Sequence, residues 1–244
     1  AIYIGKNLTA DGSVMIGGSG DEVSSHWLEV VPAATHAEEA TITVGVTDAA
    51  FMQGEFIEIP QAAETYRYLT MNYSEYEGFP PPLTNSGLNE HNVAGRDVWS
   101  PSRPELVAMT PNPQTGSQYS DLSRIVMERA RTARAAVEII GELINEHGYS
   151  TYGGNSHMFA DENEGWVLLN FAGGQGLWIA ERLGPDDIRS PTPATYTRSR
   201  WTLPRILTSW AHPTLSSLPS SKVGSTPSKT KPLTLSLIHI SEPT

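Results

Sequence analysis

The sequence contains no cysteine. That excludes disulfides and thiolate metal centres, and it leaves the redox compartment open. Long apolar stretches are missing too: no run reaches the roughly 18 residues that suggest a membrane-spanning helix. Cations are scarce over the first 189 residues, which carry 26 acidic against 10 basic side chains. So acidic a body repels nucleic acid and anionic membranes, so neither is expected as a partner. No Gly-x-Ser-x-Gly elbow and no His-Glu-x-x-His occurs, and the 7 histidines are scattered without ligand spacing. A serine-hydrolase site and a metal site therefore lack their usual signals.

What is present reads as a globular protein. The 244 residues are 39% hydrophobic and 18% charged, enough for one large domain or two small ones. Ile2 and Ile4 alternate with Tyr3 and Gly5, a strand signal. Asp11-Gly12 marks a hairpin turn, and Ser13 to Ile16 reads as the returning strand. Gly17-Gly18-Ser19-Gly20 lets the backbone pass close to something before Asp21-Glu22. It is not a phosphate loop, because the segment after it, through Trp27-Leu28-Glu29-Val30-Val31, does not read as a helix.

Further strands are expected at Thr41–Val46, Phe56–Pro60 and Tyr66–Met71. Pro80-Pro81-Pro82 is a stiff spacer ahead of Thr84 to Ala94. Two helices follow, near 120–131 and 132–147. Ser120 or Asp121 can cap the first and Thr132 the second, and Gly148 suits the position after the second helix. Residues 156–161, 165–171 and 176–183 read as a three-strand meander. Strands, two helices, then strands imply an α+β fold with helices packed over antiparallel sheet.

The opening, Ala1-Ile2-Tyr3-Ile4-Gly5-Lys6 with Ala10-Asp11-Gly12-Ser13, resembles the mature N-terminus of peptidase family C69. These dipeptidases are N-terminal-nucleophile (Ntn) hydrolases, akin to choloylglycine hydrolases and penicillin V acylases. Gly87-Leu88-Asn89-Glu90-His91-Asn92-Val93-Ala94 is similar to the family's Gly-Leu/Met-Asn-Glu-x-x-Val-Ala segment. The resemblance implies an incomplete αββα sandwich, no cofactor, and a small peptide as substrate; a homo-oligomer is left open. It also implies a Cys-Thr pair ahead of Ala1, so that the sequence starts two residues late and lacks the nucleophile. On that expectation the fragment is inactive.

In such enzymes the first residue supplies the nucleophile and, through its α-amino group, the base. By resemblance Asp21 falls where a carboxylate lies near that amine, and Asn89 where related acylases place an oxyanion-stabilising asparagine. Glu22, His26 and Asn155 are further substrate-binding candidates. Each has a plainer reading: Asp21 as a strand terminator, Asn89 and Asn155 as turn residues, Glu22 and His26 as surface or packing residues. Many family members carry Arg where this sequence has Gly18. A linear-amide acylase is the alternative within the fold; a non-catalytic or binding protein is the alternative outside it.

From Ser190 onward the character changes. Of the last 55 residues, 29 are Ser, Thr or Pro and one is acidic. Residues 1–189 are thus expected to form the N-terminal part of the domain, and 190–244 a disordered, non-native tail. Leu235 to Thr244 looks like a translated sequencing adapter, and the stretch before it like a shifted reading frame.

Overall fold

The computed structural model describes residues 1–19, 25–74, 76, 78–190 and the backbone of 210–211. Strands β1 (Ile2–Ile4) and β2 (Met15–Gly17) pair antiparallel, with Ile4 opposite Met15. Between them the chain runs through a short 3-10 helix, Lys6–Leu8, before Asp11-Gly12, so this turn is part of a longer connection and not a tight hairpin. Gly12 adopts φ 77°, and the Asp11 carboxylate accepts from the Ser13 hydroxyl at 2.7 Å. Strand β3 (His26–Val31) leads to two short ribbons, β4 (Ala34–Thr35) with β7 (Glu64–Thr65) and β5 (Thr41–Val44) with β6 (Ile57–Pro60). Next come β8 (Tyr68–Tyr73), β9 (Leu83–Asn89) and β10 (Ala94–Trp99).

Helix α1 (Pro104–Ala108) has no counterpart in the sequence expectations. Helices α2 (Tyr119–Arg129) and α3 (Ala133–His147) fall within two residues of the expected bounds. The cap of α2 is Gln118, with Asp121 as its reciprocal partner in a capping box, so Ser120 is already helical. Thr132 caps α3 as expected, its hydroxyl accepting from the Ala135 amide at 3.0 Å. Gly148 ends α3 at φ 87°, where a side chain would be strained.

The meander is β11 (Gly154–Ala160), β12 (Gly165–Phe171) and β13 (Trp178–Leu183), followed by β14 (Ile188–Arg189). A two-residue strand, β15 (Trp210–Ala211), pairs with β13. Those two residues of the expected loose tail therefore join the sheet; the remainder of 191–244 lies outside the described residues.

Eight strands form one sheet in the order β15-β13-β12-β11-β10-β9-β8-β3, and β14-β1-β2 form a second. The architecture is α+β, with antiparallel pairing throughout the large sheet. Alternation along a strand sends successive side chains to opposite faces. On one face Phe159, Trp166 and Leu168 pack with the α3 stripe Ala136, Val137 and Ile140 and with α2. On the other, Met158, Val167, Leu169 and Leu183 close around Tyr3, with Ala1, Val14 and Ile16 against them. The order of layers is helices, large sheet, small sheet.

The small sheet covers only part of that second face. Leu28 and Val30 of β3 pair with Met71 and Leu69 of β8, and Leu69 with Leu88 of β9, so these side chains share a face. All five are exposed, Leu28 at 64% and Val30 at 63%. Among the described residues, one part of this face is sealed and the other is bare.

Candidate active site

At the seam between the sealed and bare parts, three residues converge. Strand β10 alternates, so Arg96 faces the small sheet while Asp97, next along, is buried on the helix side. A Cβ added to Gly18 would lie 3.0 Å from Arg96 Cγ, 3.1 Å from Arg96 Nε and 3.1 Å from Ala1 Cα. Glycine at 18 is thus what lets the arginine and the first residue approach each other.

The Ala1 amine is partly buried, and its pKa lies below the usual value, first through burial and second through the Arg96 charge. Burial and a neighbouring cation both disfavour its protonated form. Arg96 Nε is buried and makes no hydrogen bond among the described residues. Sequence reasoning missed Arg96; its only hint was the loss of the customary arginine at position 18.

The sequence candidates are placed differently. Asp21 and Glu22 lie outside the described residues. His26 begins the edge strand β3, exposed, and stacks on Tyr73 at 5.6 Å between ring centroids. Asn89 is spent on structure. Its Nδ2 donates to the carbonyls of Met127 at 3.2 Å and Ala130 at 2.7 Å, and its Oδ1 accepts from the His91 and Val93 amides. Both donor hydrogens and the oxygen are committed to the α2 terminus and the β9–β10 turn. As placed, it has nothing left for an oxyanion.

Asn155 is not a turn residue but the second residue of β11, fully buried on the helix side. Its Nδ2 donates to Asp97 at 2.9 Å and lies 3.3 Å from His157 Nε2, and its Oδ1 accepts from the Tyr152 hydroxyl at 3.3 Å. It faces away from Arg96, across the thickness of the sheet. Around it, burial pushes the pKa of His157 down to about 3 and that of Tyr149 up, so both are neutral near pH 7. This polar cluster beneath the helices was also unread in the sequence.

Among the described residues no group of three His, Asp or Glu is arranged to hold a metal, and no helix is long and apolar enough to cross a membrane.

The family model for peptidase family C69 matches residues 1–200. The chain belongs to peptidase family C69. The match extends eleven residues past Arg189, beyond the expected boundary of the domain. A protein called "Probable dipeptidase" from Latilactobacillus sakei is 27% identical over 194 residues, 77% of this chain and 37% of that relative. "Probable dipeptidase B" of Lactococcus lactis subsp. lactis (strain IL1403) is 33% identical over 103 residues, 42% of this chain and 21% of the relative. A Streptococcus pyogenes serotype M1 protein with that name is 26% identical over 199 residues, covering 79% and 36%. This C69 chain spans little more than a third of the relatives it matches over most of its own length.

Proposed function

We propose that this chain is the N-terminal part of a cysteine-type dipeptidase working by Ntn-hydrolase chemistry on short peptides. The observation that carries the reading is the position of Ala1: it sits at the seam between two sheets, beside an arginine, in a family whose relatives bear dipeptidase names. The layer order of helices, large sheet and small sheet is in keeping with part of an αββα sandwich.

In this reading a cysteine precedes Ala1 by two residues. Its α-amine takes the thiol proton, and the thiolate attacks the peptide carbonyl. The amide C–N bond breaks as the amine passes its proton to the leaving nitrogen. Water then hydrolyses the thioester, releasing the acid and restoring the thiol. Asp21 keeps the role of orienting the amine; the oxyanion donor is a group other than Asn89.

The sequence itself contains no cysteine, which favours an inert or merely binding chain as it stands. Mass spectrometry with an activated aminoacyl ester tests the mechanism. A chain extended by Cys-Thr ahead of Ala1 should gain one acyl group, and the same extension with alanine for cysteine should not. Dipeptide hydrolysis by the unextended chain, surviving thiol-blocking reagents, overturns the mechanism.

A further inference from the structure

The described arginines other than Arg96 are mostly engaged. Arg67 pairs with Glu90, Arg124 with Asp121, Arg134 with Glu138, Arg182 with Glu164 and Arg189 with Glu181. Arg129 donates to Pro60 and Gln61, and Arg131 to Tyr66. Arg96 makes no such pair among the described residues, which do not include Asp21 and Glu22, and its Nε is buried without a hydrogen-bond partner among them. Ala94 and Val98 share its face of β10, and Met158 lies opposite on β11. Among the described residues these three neighbours are apolar, which strengthens the attraction of its charge for an anion.

We propose that Arg96 anchors the free C-terminal carboxylate of the substrate at the seam beside Ala1, and so makes the site select dipeptides over longer or blocked peptides. This rests on the dipeptidase reading above. The chemistry fits the spacing. In a dipeptide the carboxylate carbon is separated from the scissile carbonyl carbon only by N and Cα, roughly 3–4 Å away. A guanidinium gripping that carboxylate must lie within a few ångströms of the nucleophile, and Arg96 lies beside Ala1, two residues along the chain from the cysteine of that reading. Its planar fork suits a two-oxygen anion. A longer peptide would place an amide carbonyl at that point, and its charge would be out of reach.

Gly18 is the second half of the device. A side chain there would press on Arg96 Cγ and Nε and on Ala1, displacing the anchor. One position admits the arginine, and the other supplies it.

The test is binding of alanyl-alanine and of its C-terminal amide to the chain, titrated by NMR. The free acid should bind at least about tenfold more tightly, because a hydrogen bond to a carboxylate is stronger than one to a neutral amide. Arg96→Gln should bring the two ligands within about twofold by weakening the acid alone, and Arg96→Lys should keep part of the preference. Gly18→Val should also weaken the acid selectively. Circular dichroism melts control for folding. If Arg96→Gln does not fold, the acid-to-amide ratio of the parent chain decides, and equal binding overturns the anchor. Equal binding of both ligands, or an unchanged ratio in Arg96→Gln, overturns the anchor and leaves a peptide site standing. Failure of both ligands to bind overturns the anchor and the peptide site together.

Discussion

The side-chain amide of Asn89 donates to the carbonyl of Ala130 at 2.7 Å, across 41 positions of sequence. With the bond to Met127, it ties the last turn of α2 to the end of β9. Asn89→Ala would leave these buried carbonyls and the Val93 amide unpaired. We expect a loss of about 3 kcal/mol or more, since each of the three orphaned buried groups costs roughly 1–3 kcal/mol. Urea denaturation reads it directly. An unchanged midpoint would return Asn89 to the list of site residues.

Gly165 lies under the ring of Tyr3, where an added Cβ would overlap the ring carbons. Tyr3 is fully buried, so the ring has nowhere to yield. Gly165→Ala should therefore cost about 1–3 kcal/mol, in the range of overpacked cores. In the double variant with Tyr3→Leu the two losses should be less than additive, because the collision is gone. Strict additivity would argue against the contact.

Two buried groups pull the acid stability in opposite directions. His157 titrates near 6.5 when unfolded and near 3 when folded, because burial disfavours its cation. Between those values the unfolded chain binds the extra proton, so stability falls with falling pH, by at most about 1.4 kcal/mol per unit. Asp121 is the reverse: burial raises its folded pKa to about 6 from 3.8, so the folded chain holds the proton and gains stability as pH falls through that window. His157→Gln should make the chain more tolerant of pH 5 relative to pH 7, and Asp121→Asn less so. Urea midpoints at the two pH values check both signs.

In the 244-residue chain, though not in one extended by Cys-Thr, the Ala1 amine gives a local readout of the seam. Its lowered pKa comes first from burial and second from Arg96. Arg96→Gln should raise it only part of the way towards 8.0, the usual value. Reductive methylation of the amine followed against pH would show the shift. No change on losing the arginine would mean that the two groups do not sense each other.

Much of the helical layer was legible because its signals are local. Thr132 and Gly148 bracket α3, and the Ala136-Val137-Ile140-Leu143-Ile144 stripe fits one helical face. The meander was legible for the same reason, as alternation broken by turn residues. The site was not. Asn89 sits in a motif that fits an oxyanion role, yet its partners Met127 and Ala130 lie at the end of a helix some 40 residues away. Asn155 follows two glycines and reads as a turn, but pairing with Trp99 and Asn170 draws it into the interior. Arg96 and Asp97 are adjacent in sequence, and only the pairing of β10 decides which one meets Ala1. Contacts across sheets carry no short-range signature.

Tyr3 donates to the Gly184 carbonyl at 3.0 Å, a partner 181 positions later in the chain. On a ribosome adding about 5–20 residues per second, the opening strand would wait roughly 10–40 s before that partner exists. Until then its apolar side chains must be tolerated without their core, and closing so long a loop is intrinsically slow. The contact of β1 with Gly184 therefore cannot close until some 180 further residues have been made.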